Sequence, residues 1–152
     1  MTNLCLIIVR LRLWAALPFG VAVLGAAADG AGDPSDQNAV IFVTRVRGAG
    51  GVVRCGLFDA RGWLKKPTQS ASSLIESGAA ACIFRRVEPG TYAISAFHDA
   101  NANSKLDTNF LGIPAEDYCA SRDARGAFGP PSFDDAKFIY RGGTLRLEAR
   151  MK

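Results

Sequence analysis

The chain has 152 residues, a formal net charge of +4 and 49% apolar residues. Its length suits one domain with a real core, and so modest a charge excludes a general nucleic-acid binder. The apolar excess is uneven: 21 of the first 28 residues are apolar and none is acidic, while the rest has the composition of an ordinary soluble domain.

Arg10 and Arg12 precede an apolar run from Leu13 to Leu24, then Gly25-Ala26-Ala27-Ala28 and a polar stretch. Residues 1–28 therefore read as a secretory signal peptide cleaved after Ala28, with residues 29–37 a disordered N-terminal segment and residues 38–152 a single domain. The apolar run is shorter than a bilayer span, and a retained anchor would have to recruit Leu4 to Val9 across the two arginines. The expected location is the periplasm or outside the cell.

After cleavage three cysteines remain. Cys55 and Cys82 lie in strand-like runs and Cys119 in an irregular one, so the expected disulfide joins Cys55 to Cys82. Three buried free thiols are the alternative.

Short runs with a period of two recur between Gly, Pro and Asp, and none sustains a helical period, so the class is all-β. The predicted strands are 39–47, 51–59, 80–87, 91–98, 136–140 and 144–150, giving an antiparallel β-sandwich of about 6–7 strands. Turn residues at Gly48 to Gly51, Glu88-Pro89-Gly90 and Gly142-Gly143 predict three hairpins between neighbouring runs. The connection from Ala60 to Ala79 holds Trp63 and a turn at Lys65-Lys66-Pro67, with room for a helical turn around Ser72 to Ser77. Asp99 to Asp135 is far longer than an ordinary loop, and Ser132 is placed to cap a short helical turn before its end.

That long loop opens with Asp99-x-Asn101-x-Asn103-x-x-x-Asp107, the spacing of a calcium loop. Hard cations take several oxygens, and alternate side chains of a curled segment can point inward together. The candidate ligands are Asp99, Asn101, Asn103, the Lys105 carbonyl and Asp107, with Glu116 completing the set. Position 12 of the corresponding EF-hand is Phe110 in place of a bidentate Glu, and position 6 is Ser104 in place of Gly. The competing reading is an Asx-rich loop whose side chains cap their own backbone without any ion. His98, without a second imidazole or thiolate nearby in sequence, reads as a strand-end residue. Phe110, Tyr118, Phe128 and Phe133 read as anchors tacking the loop to the sandwich, or as part of a binding surface.

Several stretches carry a family resemblance: Pro89-Gly90-Thr91-Tyr92-Ala93, His98-Asp99-x-Asn101-x-Asn103, Leu106-Asp107-Thr108-Asn109, Gly112-Ile113-Pro114-x-Glu116 and Pro131-Ser132-Phe133-x-Asp135-Ala136. In order and over essentially the whole mature chain, they resemble the bacterial exported family designated domain of unknown function 2141. The resemblance implies a small exported β-sandwich of transthyretin-like or immunoglobulin-like type with no established activity. Family members tend to have Gly where Ser104 stands and Tyr-Gly where Tyr118-Cys119 stands. The Asp/Asn array is also similar to the calcium loops of bacterial surface-adhesin B-type repeats.

The function expected from these readings is a non-enzymatic binding or structural module of the cell envelope, with weak calcium binding in the Asp99 to Asp107 loop. Its partner would be an envelope or extracellular ligand, with no nucleic acid, no membrane after signal cleavage and a monomeric state. The alternative is a small periplasmic hydrolase using loop carboxylates such as Glu116, Asp117, Asp134 and Asp135 as an acid/base pair. No Gly-x-Ser-x-Gly elbow, Cys-His signature or multi-His site supports it.

Overall fold

Strands form where apolar side chains alternate with small or polar ones, because that alternation lets a pleated segment bury one face. The computed structural model describes residues 38–48, 50–127 and 129–152. The readings on residues 1–28, on 29–37 and on Phe128 lie outside the described residues. Eight strands follow in chain order: β1 (Ala39–Arg45), β2 (Val52–Phe58), β3 (Gln69–Leu74), β4 (Ala79–Arg85), β5 (Gly90–Asp99), β6 (Tyr118–Ala120), β7 (Phe138–Tyr140) and β8 (Thr144–Arg150). One sheet has the order β4-β1-β8; the other has the order β3-β2-β5-β6, with β7 pairing the first residues of β5. The protein is an all-β sandwich, as its alternating runs predict.

The core lies between the two sheets. Val40, Phe42, Cys82 and Phe84 enter from the first sheet, and Val53, Leu57, Ile94 and Ala96 from the second. Each large side chain so buried contributes roughly 1.5–3 kcal/mol relative to exposure. Tyr140 is buried with them and donates its hydroxyl to the Gly143 carbonyl at 2.6 Å, which answers the polar end of an otherwise apolar ring. Burial pushes its phenol up from the ordinary value, with Glu88 and Tyr92 adding to the shift. Thr44, also inside, leaves its hydroxyl without a hydrogen-bond partner among the described residues.

Cys55 on β2 and Cys82 on β4 form a disulfide with their Cα atoms 6.3 Å apart. The bond therefore ties one sheet to the other. Cys119 on β6 is buried and free. Burial first, and the Asp123 carboxylate second, push its thiol up to about 12 against the opposing Arg125 charge.

The three expected hairpins are not hairpins. β1 and β2, β4 and β5, and β7 and β8 each lie in different sheets, so their Gly-rich turns carry the chain across the sandwich. A turn residue reverses direction equally well within a sheet or between two sheets, and the apolar faces select the partner. β1 instead pairs antiparallel with β4 and parallel with β8. The expected helical turn at Ser72 to Ser77 is also corrected, since Gln69–Leu74 is strand β3, paired with β2. Its inward positions are Gln69, Ala71 and Ser73, and Leu74 faces out, so it carries no apolar alternation. Ser132 does cap a helical turn: its hydroxyl accepts from the Asp135 amide ahead of α1 (Phe133–Ala136).

A second, smaller apolar cluster covers the outer face of the β2-β5-β6 sheet. Ala93, Ala120 and Ala136 are buried there under Trp63, Ala124 and Phe133. Trp63 stands edge-on to both Phe58 and Phe133 and donates its indole N–H to the Pro131 carbonyl at 2.9 Å.

Candidate functional site

The last residue of β5 starts the polar loop. The register sets Asp99 opposite Val52 and Arg54 opposite Phe97, so Arg54 and Asp99 are diagonal neighbours on the outer face of that sheet. The chain enters β2 through Gly51 at φ +84°, where a Cβ would come within 2.5 Å of the Asp99 carbonyl oxygen, so only glycine fits. His98 points to the other face, its Nε2 2.6 Å from the Gly50 carbonyl oxygen. It sits at the end of its strand against the β1–β2 connection.

Asp99 is completely buried. Its Oδ1 accepts from the Asn103 amide and its Oδ2 from the Ser104 amide, both at 2.9 Å, while the Arg54 guanidinium also donates to Oδ2. Burial alone would push this carboxyl up. The Arg54 bond, the two backbone N–H groups and the Arg54 charge outweigh it and hold the carboxyl below its ordinary 3.8.

The rest of the array closes on itself. Asn101 Nδ2 donates to Asp107 Oδ2 at 2.7 Å, and Asn103 Nδ2 donates to both Asp107 oxygens at 2.9 and 3.1 Å. Asn103 Oδ1 accepts from the Lys105 amide at 2.8 Å, an Asx turn. Glu116 closes the loop's base, with Oε1 accepting from the Ala100 amide at 2.9 Å and Oε2 from the Asp107 amide at 3.1 Å. All six sequence-predicted residues therefore meet in one network: Asp99, Asn101, Asn103, Asp107 and Glu116 through their side chains, Lys105 through its amide. The sharp turns expected of a glycine are made by Ala102 at φ 58° and Ser104 at φ 68°.

The network has two halves. In one, Asp99 faces a cationic partner, Arg54, and two amide donors. In the other, Asp107, Glu116 and the side-chain oxygens of Asn101 and Asn103 face only N–H donors. Among the described residues, no three His, Cys, Asp or Glu side chains come together as a metal-holding group.

Beyond the base, residues 107–115 fold into a small hairpin, with the Thr108–Pro114 bridge and the Ala115 amide bonded to the Asp107 carbonyl. Asn109 Oδ1 accepts from the Leu111 and Ile113 amides and so fixes the tip. The tip is apolar and open: Phe110 is 94%, Leu111 67% and Ile113 56% exposed. The aromatic residues of the long loop thus divide. Phe133 anchors the segment before β7, Tyr118 starts β6, and Phe110 anchors nothing. Of the other loop acids, Asp134 pairs with Lys137 at 2.7 Å, and Asp135 accepts from the Ser132 hydroxyl at 2.6 Å.

Arg54 is the site residue that sequence reasoning missed. Its signal was present: a lone charge inside the apolar run Val52–Phe58, on the face shared with Asp99.

No curated protein and no solved structure matches the chain. A family described as an uncharacterized protein conserved in bacteria (DUF2141) matches residues 41–147, from the third residue of the sandwich's first strand to the middle of its last. Strands β2 to β7, most of β1 and half of β8, the polar loop and the capped turn at Ser132 fall within that span, and the chain belongs to the DUF2141 family.

Proposed function

We propose that the chain is an exported, non-enzymatic β-sandwich module of the cell envelope that binds or braces a partner without transforming it. The observation that carries this reading is the Cys55–Cys82 bond between the sheets, since cross-links of this kind persist in oxidising compartments. It agrees with the leader read over residues 1–28. Binding is favoured over hydrolysis because three of the four candidate loop carboxylates are engaged in holding the chain: Glu116 by two amides, Asp134 by Lys137, Asp135 by Ser132.

The test is expression of the full chain with its own leader, followed by fractionation, mass spectrometry of the N-terminus and thiol counting in denaturant. The expected product starts after Ala28, is recovered outside the cytoplasm and has one titratable thiol, that of Cys119. A cytoplasmic product with all 4 cysteines of the full chain titratable would overturn the reading.

Glu116 favours a second reading, in which the loop takes calcium, because it brings another carboxylate to the array. Asp99, Asp107, Glu116, the side-chain oxygens of Asn101 and Asn103 and the Lys105 carbonyl would supply the ligands. So few charges imply weak affinity, on the order of 10⁻⁴ to 10⁻³ M. Millimolar calcium added after EDTA should raise Tm in the wild type and not in Asp107→Ala. An unmoved wild-type Tm ends this reading.

A further inference from the structure

Two features that neither role uses leave the sandwich from the same end. The first is the apolar tip Phe110, Leu111 and Ile113, held rigidly by Asn109. The second is a cleft of about 230 Å³ lined by Arg45, Val46, Arg47, Arg150, Met151 and Lys152. Their common end follows from the pairing. β1 and β8 run parallel and finish together with Arg45 opposite Arg150; Lys152 exchanges backbone hydrogen bonds with Tyr118, where the polar loop returns to the sheet.

The cleft is lined by four cationic side chains and no acidic one; the nearby Asp123 carboxylate accepts from the Arg150 amide at 2.8 Å, and among the described residues none of the four cationic side chains makes an ion pair. Two of them, Arg45 and Arg150, are register partners, a like-charge juxtaposition that costs stability in a sheet. Such a cost points to an anionic ligand. The cleft is smaller than the roughly 300–1,000 Å³ of a pocket that encloses a whole small molecule, and it suits one charged group presented by something larger. Arginine forks match phosphate oxygens. An ordered, exposed apolar tip at the same end as such a cleft supplies the other half of an interfacial anchor: apolar side chains to enter the acyl boundary and cations to meet the headgroups. The carboxylates of Asp107 and Glu116 lie behind the tip, at the loop's base, turned to N–H donors.

We propose that this end of the sandwich docks on an anionic lipid bilayer, with Phe110, Leu111 and Ile113 inserted and the Arg45, Arg47, Arg150 and Lys152 cleft on lipid phosphates. The proposal names the partner of the envelope module and so rests on that reading. Its test is separate, because binding by purified protein does not depend on where the cell sends it.

The exported form is mixed with vesicles of phosphatidylcholine alone or of phosphatidylcholine with phosphatidylglycerol, and co-sedimentation is measured. The readout is the difference between compositions and between wild type and variants, which any retained leader would leave unchanged. The wild type should bind the mixed vesicles and not the neutral ones. Arg45→Gln with Arg150→Gln, and separately Phe110→Ser with Leu111→Ser, should each weaken binding about tenfold or more. All four positions are exposed, so thermal melts should stay near wild type. Equal binding to both vesicles, or mixed-vesicle binding that survives either double variant, overturns the proposal. So does a melt raised by inorganic phosphate without vesicle binding, which would identify a soluble anion as the ligand.

Discussion

The space between the sheets and the loop from Asp99 to Tyr118 are both ordered, by opposite means. Between the sheets, order comes from removing apolar side chains from water and from one covalent bond. In the loop the large apolar residues face water, and order comes from Asp, Asn and Glu side chains that accept the amides a strand partner would otherwise satisfy. A segment of this length outside the core needs such partners, because each unpaired amide it buried would cost about as much as a lost hydrogen bond. The two regions meet at Asp99, which is as buried as any core residue and yet charged.

The comparison breaks first at the disulfide. Replacing Cys55 and Cys82 together by Ala should cost roughly 3–4 kcal/mol in denaturant unfolding, from the loop-closure entropy returned to the unfolded chain. The loop's hydrogen bonds should re-form in whatever fraction still folds.

Asp99→Asn attacks the junction. It removes the buried charge that the half-buried Arg54 guanidinium faces, so it should lower Tm more than Asn101→Ala, Asn103→Ala or Glu116→Ala. The acid dependence gives a sharper readout. A carboxyl held below its ordinary value contributes stability that is present above 3.8 and lost as pH falls through its folded value. The gap in Tm between wild type and Asp99→Asn should therefore narrow as pH falls below 3.8. A gap that stays constant with pH would show that shape, not charge, holds the junction.

The smallest effects stabilise, and they separate the two kinds of order. Thr44→Val removes a buried hydroxyl without a partner and should gain about 1 kcal/mol. Ala102→Gly relieves a left-handed backbone at some cost in chain entropy and should gain about 0.5 kcal/mol. Chemical denaturation of each single variant and of the pair should give additive gains, because the sites share no partner.

Much of the sandwich was legible in the sequence because alternation is local. Val40, Phe42, Val53, Leu57, Cys82 and Phe84 announce their strands and their inner face without reference to any partner. The helical turn at Ser132 was legible for the same reason, since a cap acts over three residues. Strand pairing was not legible: Gly50-Gly51 and Gly142-Gly143 mark reversals, but which sheet receives the returning strand depends on faces brought together from across the chain. Strand β3 escaped notice because its partner β2 holds it in place through backbone bonds, with only Ala71 contributing apolar packing. In the polar loop the spacing of Asp99, Asn101, Asn103 and Asp107 was visible at once. The role of Arg54 was not, because 45 residues separate it from Asp99.

The parallel pairing of β1 with β8 has a consequence for the order of assembly. Asn38, just ahead of β1, bonds to Gly143, 105 residues later, and the ladder beside them brings together the first and last strands. A chain emerging from its N-terminus holds β1 with one edge open until those final residues arrive. Topologies of this kind fold late and slowly. Closure of that sheet therefore waits for the last strand, and a chain cut short before Thr144 would leave β1 with an open edge for another strand to take.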